Sequence, residues 1–250
     1  MTEESPPRKR RELQLVQLLP NFLTLSALCC GLTSMRFAVS GQVQAAVILI
    51  VLAALLDGLD GRVARLLSSE SAIGAELDSL ADFLSFGVAP GIILYFWTLN
   101  GLGGVGWGAV LVLAICCALR LARFNTSSKS PALEGKVWFK GVPSPAGALL
   151  ALMPMYLQFF TDFRLPAVVV ALWTVGIAVL MISRIPTWSF KSSTVYAENA
   201  RYILVAFVVL AVLALNYPWF TLFLLGLVYL ATLPFAFRHH RRQRPAKTES

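Results

Sequence analysis

Residues 55–87 read LLDGLDGRVARLLSSESAIGAELDSLADFLSFG, so Asp57, Asp60, Glu76, Asp78 and Asp82, with Arg62 and Arg65, lie among leucine and alanine. An unpaired carboxylate in hydrocarbon costs several kcal/mol, and neighbouring carboxylates repel one another. Each helical residue turns about 100°. Asp57, Asp60, Gly61, Ala64 and Arg65 therefore share one stripe, Gly74, Asp78 and Asp82 share another at a spacing of four, and Glu76 points roughly the opposite way. Two acidic faces on consecutive antiparallel helices can meet, provided something positive sits between them. Arg65 can neutralise only one acid. A pair of divalent cations, Mg²⁺ or Mn²⁺, neutralises the cluster and accounts for Asp ligands in place of His or Cys. Two metals about 4 Å apart stabilise charge on a phosphate undergoing displacement, so phosphoryl transfer is the chemistry this spacing points to.

The elements that carry these acids cross a membrane. The 250-residue chain is 57% hydrophobic and only 14% charged, with a mean hydropathy of +0.71, whereas roughly a quarter of residues are charged in a soluble domain. A crossing needs about 20 apolar residues, and such runs fall at 18–38, 42–66, 72–98, 103–124, 143–162, 165–183, 199–215 and 217–236. The expectation is an all-α, polytopic bundle of about eight transmembrane helices: a basic N-terminal segment at 1–17, one catalytic membrane domain at 18–238 and a basic tail at 239–250. No internal repeat is apparent, which argues against inverted-repeat transporters.

The net charge of +8 reads as topology. With a cytoplasmic N-terminus, eight crossings put Arg8–Arg11, Arg62, Arg65, Lys129, Lys136, Lys140, Arg184, Lys191, Arg201 and the tail from Arg238 to Lys247 on the cytoplasmic side. Arg120 and Arg123, at the end of the fourth run, join them, leaving Arg36 and Arg164 near the outer face. That asymmetry follows the positive-inside rule, so nucleic acid is not the expected partner. The basic run at 8–11 has no small-x-small cleavage site after it, which argues against a signal peptide. Cys29–Cys30 and Cys116–Cys117 are adjacent pairs inside apolar runs and read as small core residues. Cytoplasmic loops are expected at 125–141 and 184–198.

Asp57 lies about nine residues, roughly 14 Å, from the cytoplasmic end of its run. A soluble cytoplasmic molecule and a lipid head group can both reach that depth. Gly61 and Ala64 leave a slot beside the acids for a flat base or a phosphate, or are ordinary helix-packing residues. Asn21 and Thr24, at the entry of the first run, can touch a donor's cytidine or diphosphate, with capping and interhelical packing as the competing roles.

The run Asp57-x₂-Asp60-Gly61-x₂-Ala64-Arg65-x₈-Gly74-x₃-Asp78-x₃-Asp82 fills every position of a pattern and resembles the signature of the CDP-alcohol phosphatidyltransferases. The resemblance implies a membrane enzyme that moves a phosphatidyl or phosphoalcohol group from a CDP-linked donor to an alcohol and releases CMP. It implies that Asp57, Asp60, Asp78 and Asp82 bind metal, with Asp82 also the proton acceptor. Gly61 and Arg65 then hold the CDP moiety, and Ala64 and Gly74 shape its slot. Ser71, at the start of the third run, either donates to a phosphate at a helix N-terminus or serves as a helix cap. A homodimer is the assembly that the resemblance suggests.

Within the family, LPNFLTLSALCCG at 19–31, IGAELDSLADFLSFGVAPG at 73–91, LRLARFN at 119–125 and FKGVPSPAG at 139–147 resemble the membrane-embedded phosphatidylserine synthases of bacteria and archaea. CDP-diacylglycerol and L-serine are the substrates this implies. Serine's carboxylate calls for cations near the metals, and Arg120, Arg123, Asn125 and Lys140 lie at the expected level, with snorkelling at the membrane edge as their competing role. A sister enzyme using glycerol 3-phosphate, inositol phosphate or choline is the near alternative. A cation- or proton-coupled transporter is the alternative from another class, and it wants acids at the midplane, not offset toward one face.

Overall fold

The computed structural model describes residues 18–67, 69, 71–128, 139–183, 186–187 and 200–242. In chain order the elements are α1 (Leu19–Val39), α2 (Val43–Leu66), α3 (Ala72–Asp82), a π-helical stretch Phe83–Val88, α4 (Ala89–Trp97), a 3₁₀ turn Leu99–Leu102, α5 (Gly104–Ser128), β1 (Phe139–Lys140), α6 (Ser144–Ala151), α7 (Met153–Thr161), α8 (Ala167–Ile182), β2 (Pro186–Thr187), α9 (Ala200–Asn216) and α10 (Pro218–Arg242). The architecture is helical apart from one antiparallel pairing of β1 with β2, Phe139 opposite Thr187 and Lys140 opposite Pro186. That pairing joins the two expected loops to each other.

Among the described residues, four helices are long and apolar enough to cross a bilayer: Leu19–Val39, Val43–Leu66, the continuous Ala72–Trp97 and Gly104–Thr126. The chain is therefore a multi-pass membrane protein. The apolar helices Ala167–Ile182, Leu204–Asn216 and Pro218–Pro234 are shorter, so helix length does not establish the expected count of eight crossings. The outward faces fit a lipid surround, with Leu55 61% and Leu172 69% exposed. Two boundaries differ from expectation. Helix α5 continues through Ser128 into the expected loop, and α10 runs to Arg242 into the expected tail.

The apolar run at 143–162 is broken at Leu152 into α6 and α7. Pro154 supplies the reason: it has no N–H to offer the carbonyl four residues back, and its ring crowds that carbonyl. The carbonyl of Leu150 instead accepts from the indole Nε1 of Trp173, at 2.9 Å, which ties α8 to the break.

Helices in lipid associate through close packing of small residues. The buried stripe of α1 is Pro20, Thr24, Ala27, Gly31, Ser34 and Ala38, and α2 lies alongside α1 with Ala46, Val47, Ile50, Ala53 and Asp60 buried. Continuing that face of α2 by helical spacing brings Asp57 and then Asp60 into line. The π-helical stretch is wedged between α1 and α5: a methyl group on Gly31 would come within 2.9 Å of the Ser85 backbone, and one on Gly87 within 3.0 Å of Cys117. The Ser85 hydroxyl donates to the carbonyl of Ala27 at 3.3 Å. Both contacts fall just after Asp82 and fix where α3 ends.

Because a backbone atom cannot yield as a flexible side chain does, Gly31→Ala is expected to destabilise the protein by about 1–3 kcal/mol. Thermal unfolding in detergent should show a melting temperature several degrees lower. An unchanged melting temperature would mean that α1 and the π-helical stretch do not bear on each other at this point.

Candidate active site

Helix α1 begins with Pro20 in its first turn, where a missing N–H leaves no bond unmade. One turn later Thr24, on the buried stripe, turns its hydroxyl to α2. Thr24 Oγ1 donates to Asp60 Oδ2 at 2.7 Å and also lies 3.0 Å from the carbonyl oxygen of Pro20. Asp60 is only 5% exposed, so this hydroxyl is part of what makes its burial tolerable.

Helix α3 starts at a side-chain cap. Ser71 Oγ accepts from the Gly74 N–H at 3.0 Å, the capping role weighed for Ser71. Gly74 is needed there for space: a methyl group on it would lie 3.0 Å from both Asn21 Oδ1 and Ser71 Oγ. The starts of α1 and α3 thus bring Asn21, Ser71 and Gly74 together.

From this entry the acids converge. Asp57, Asp60 and Asp78 each offer a carboxylate oxygen, and these oxygens lie within 4.8 Å of one another. Asp82 is an electrostatic neighbour of both Asp57 and Asp78. Glu76 is exposed, as its position on the opposite side of the helix requires. The carboxylates fit a hard divalent cation: adjacent oxygens of an octahedral shell with ligands at about 2.1 Å are about 3 Å apart and opposite ones about 4 Å. Small side-chain adjustments would bring the three onto one ion.

Arg120 of α5 borders the acids and counts Asp82 and Asp57 among its electrostatic neighbours. Its Nη1 donates to Ser144 Oγ; Ser144 opens α6 and is fully buried. The other residues expected to bind serine are placed differently. Arg123 donates from Nη1 to the carbonyl of Ile182 at 2.9 Å, joining α5 to α8. Asn125 Nδ2 donates to Ser79 Oγ at 2.9 Å, joining α5 to α3. The side chain of Lys140 lies outside the described residues.

Gly61 is exposed, and a methyl group on it would meet nothing within 4 Å. Ala64 is half-buried and Arg65 exposed on the same stripe. Sequence reasoning missed two residues beside Arg120. Ser144 sits in the Pro-Ser-Pro of FKGVPSPAG, which reads locally as a turn. Tyr229 of α10, another electrostatic neighbour of Arg120, is one of two tyrosines in an apolar run and carries no local signal.

The family model for CDP-alcohol phosphatidyltransferase matches residues 17–188, from the start of α1 past the β pairing. The chain belongs to the CDP-alcohol phosphatidyltransferase family. A second model, CDP-alcohol phosphatidyltransferase 2, matches residues 202–234 on α9 and α10. The chain is 41% identical over 242 residues to the CDP-diacylglycerol–serine O-phosphatidyltransferase of Mycobacterium leprae, covering 95% of this chain and 80% of that protein. It is 38% identical over 240 residues to the protein of the same name from Mycobacterium tuberculosis, covering 94% and 83%. The archaetidylserine synthase of Methanothermobacter thermautotrophicus is 34% identical over 175 residues, covering 67% and 68%.

Loss of a hydrogen bond that orients a metal ligand typically costs about 10–100-fold in metal affinity. Thr24→Val keeps the side-chain shape and removes the donor to Asp60, so divalent-cation affinity is expected to fall within that range. Calorimetric titration with Mn²⁺ would measure it, and an unchanged affinity would show that Thr24 does not orient Asp60 toward an ion.

Proposed function

We propose that this chain is a CDP-diacylglycerol–serine O-phosphatidyltransferase, moving the phosphatidyl group of CDP-diacylglycerol to the hydroxyl of L-serine and giving phosphatidylserine and CMP. The observation that carries this reading is the convergence of the Asp57, Asp60 and Asp78 oxygens beside Asp82 and Arg120. The names of the relatives support the choice of serine over glycerol 3-phosphate, inositol phosphate or choline. The proposed setting is an eight-crossing homodimer in the cytoplasmic membrane, with both termini and the site on the cytoplasmic side. The catalytic domain is taken as 18–238, between the basic segments 1–17 and 239–250.

Asp57, Asp60, Asp78 and Asp82 are the residues that would hold divalent cations, two Mg²⁺ or Mn²⁺ ions. When bound, such ions supply positive charge against the donor's diphosphate. Asn21 and Thr24 line the donor side, Gly61, Ala64 and Gly74 leave it room, and Arg65 offsets charge on the departing CMP. The N–H groups at the start of α3, beside Ser71, favour an anion in the same place.

Asp82 accepts the proton of the serine hydroxyl. The freed oxygen forms a bond to the phosphorus that carries diacylglycerol. The bond from that phosphorus to the oxygen bridging to CMP breaks, and CMP leaves with the electron pair. Arg120 is an electrostatic neighbour of Asp82, so a carboxylate held at the guanidinium leaves the acceptor's hydroxyl a short reach from the base. Arg123, Asn125 and Lys140 complete the cationic and polar side of the acceptor's approach.

CMP release should require both a divalent cation and L-serine, and parallel assays offering the other alcohols would expose a different acceptor. Asp82→Asn is expected to lower kcat by about 10²–10⁴-fold, the usual contribution of a general base; full activity would overturn the role given to Asp82. Gly61→Val separates folding from function. Its side chain enters open space, so the melting temperature should hold while donor turnover collapses, and retained turnover would remove Gly61 from the donor slot.

A further inference from the structure

Arg120 uses Nη1 on Ser144, but its Nε is buried and has no hydrogen-bond partner among the described residues. The hydroxyl of Tyr229 is in the same condition. These two orphaned groups come from different helices, α5 and α10, and each side chain is an electrostatic neighbour of the other. A buried polar atom left unpaired costs about 1–3 kcal/mol, and native structures rarely leave one so. Arg120 borders the acids and Tyr229 neighbours Arg120, and two such donors side by side point to an acceptor group that arrives with a ligand.

Packing explains how Tyr229 is held there. Gly226, Tyr229 and Leu233 fall on one face of α10. Gly226 lies against α7, where a methyl group on it would come within 3.1 Å of Met153 Sδ, and Leu233 is buried. Trp219, earlier on α10, stacks over Tyr156 and meets Phe159 edge-on. The helix is therefore anchored on both sides of Tyr229.

We infer that Tyr229 and Arg120 together form a recognition site for the carboxylate of an amino-acid acceptor, with Tyr229 a specificity-determining residue. The inference rests on the serine-transfer reading above and deepens it. A carboxylate has two oxygens, so one can accept from Arg120 Nε while the other accepts from the Tyr229 hydroxyl. A planar, singly charged group also suits a position next to Asp82 and Asp57, where a phosphate's extra charge would meet repulsion. A site built to hydrogen-bond one group discriminates strongly against analogues lacking it.

The test uses the full-length protein in lipid with CDP-diacylglycerol and a divalent cation, following CMP release against L-serine and against L-serinamide, which lacks the carboxylate. Tyr229→Phe should raise KM for serine about tenfold, change kcat far less and leave KM for CDP-diacylglycerol alone. Its preference for serine over serinamide should narrow by a similar factor. An unchanged KM for serine, or an unchanged preference, overturns the inference. If Tyr229→Phe does not fold, the wild-type preference decides: strong rejection of serinamide supports the carboxylate site, and equal use of both acceptors overturns it. Absence of any serine-dependent CMP release from the wild type would instead overturn the serine-transfer reading itself.

Discussion

An ionised carboxylate removed from water is costly, and a second one beside it raises the cost. In this chain Asp57 and Asp60 of α2 and Asp78 of α3 nonetheless bring oxygens within 4.8 Å of one another, with Asp82 next to Asp57. The surroundings offset part of the penalty through Thr24, which donates to Asp60, and Arg120, which borders Asp82 and Asp57. Among the described residues Arg120 is the guanidinium that borders these acids, and a cluster of acids with so little compensating charge could hold a divalent cation. The helices must hold the acids close enough to need a cation and firmly enough not to splay apart.

Close packing meets that requirement. Small residues let α1 and α2 approach, and the same face of α1 that buries Ala27, Gly31 and Ser34 presents Thr24 to Asp60. The π-helical stretch after Asp82 is gripped on one side at Gly31 and on the other at Cys117. Single π turns inside α-helices often accompany functional sites, and here the widened turn is a wedge between α1 and α5. Cys117 and Arg120 lie one turn apart on α5, so the contact that seats the wedge also sets the level of the guanidinium.

Much of this was legible in the sequence because the signals are local. Helical periodicity places Asp57 with Asp60 and Asp78 with Asp82, and apolar run lengths locate the helices to within a few residues. Glu76 could be set apart from the other acids for the same reason, and it is exposed. Other features were not legible. The Leu152 break depends on Pro154 but is completed by Trp173 from another helix. Arg120, Arg123 and Asn125 looked alike as polar groups at one level, yet Arg120 borders the acids and bonds Ser144 of α6, whereas Arg123 bonds α8 and Asn125 bonds α3. Tyr229, far along the chain in an apolar run, showed no sign of lying near Arg120.

By itself, the sequence determined that acids of two consecutive membrane helices share faces and that the surrounding spacing matches one family of transferases, since both are matters of helical pitch and residue type. Only the tertiary structure decided which guanidinium stands beside those acids, which polar side chains tie one helix to another and which distant helix supplies a neighbour to Arg120. The physical reason is that pitch fixes direction around a single axis, whereas contact between helices depends on how small residues, a proline break and a π turn set several axes against one another.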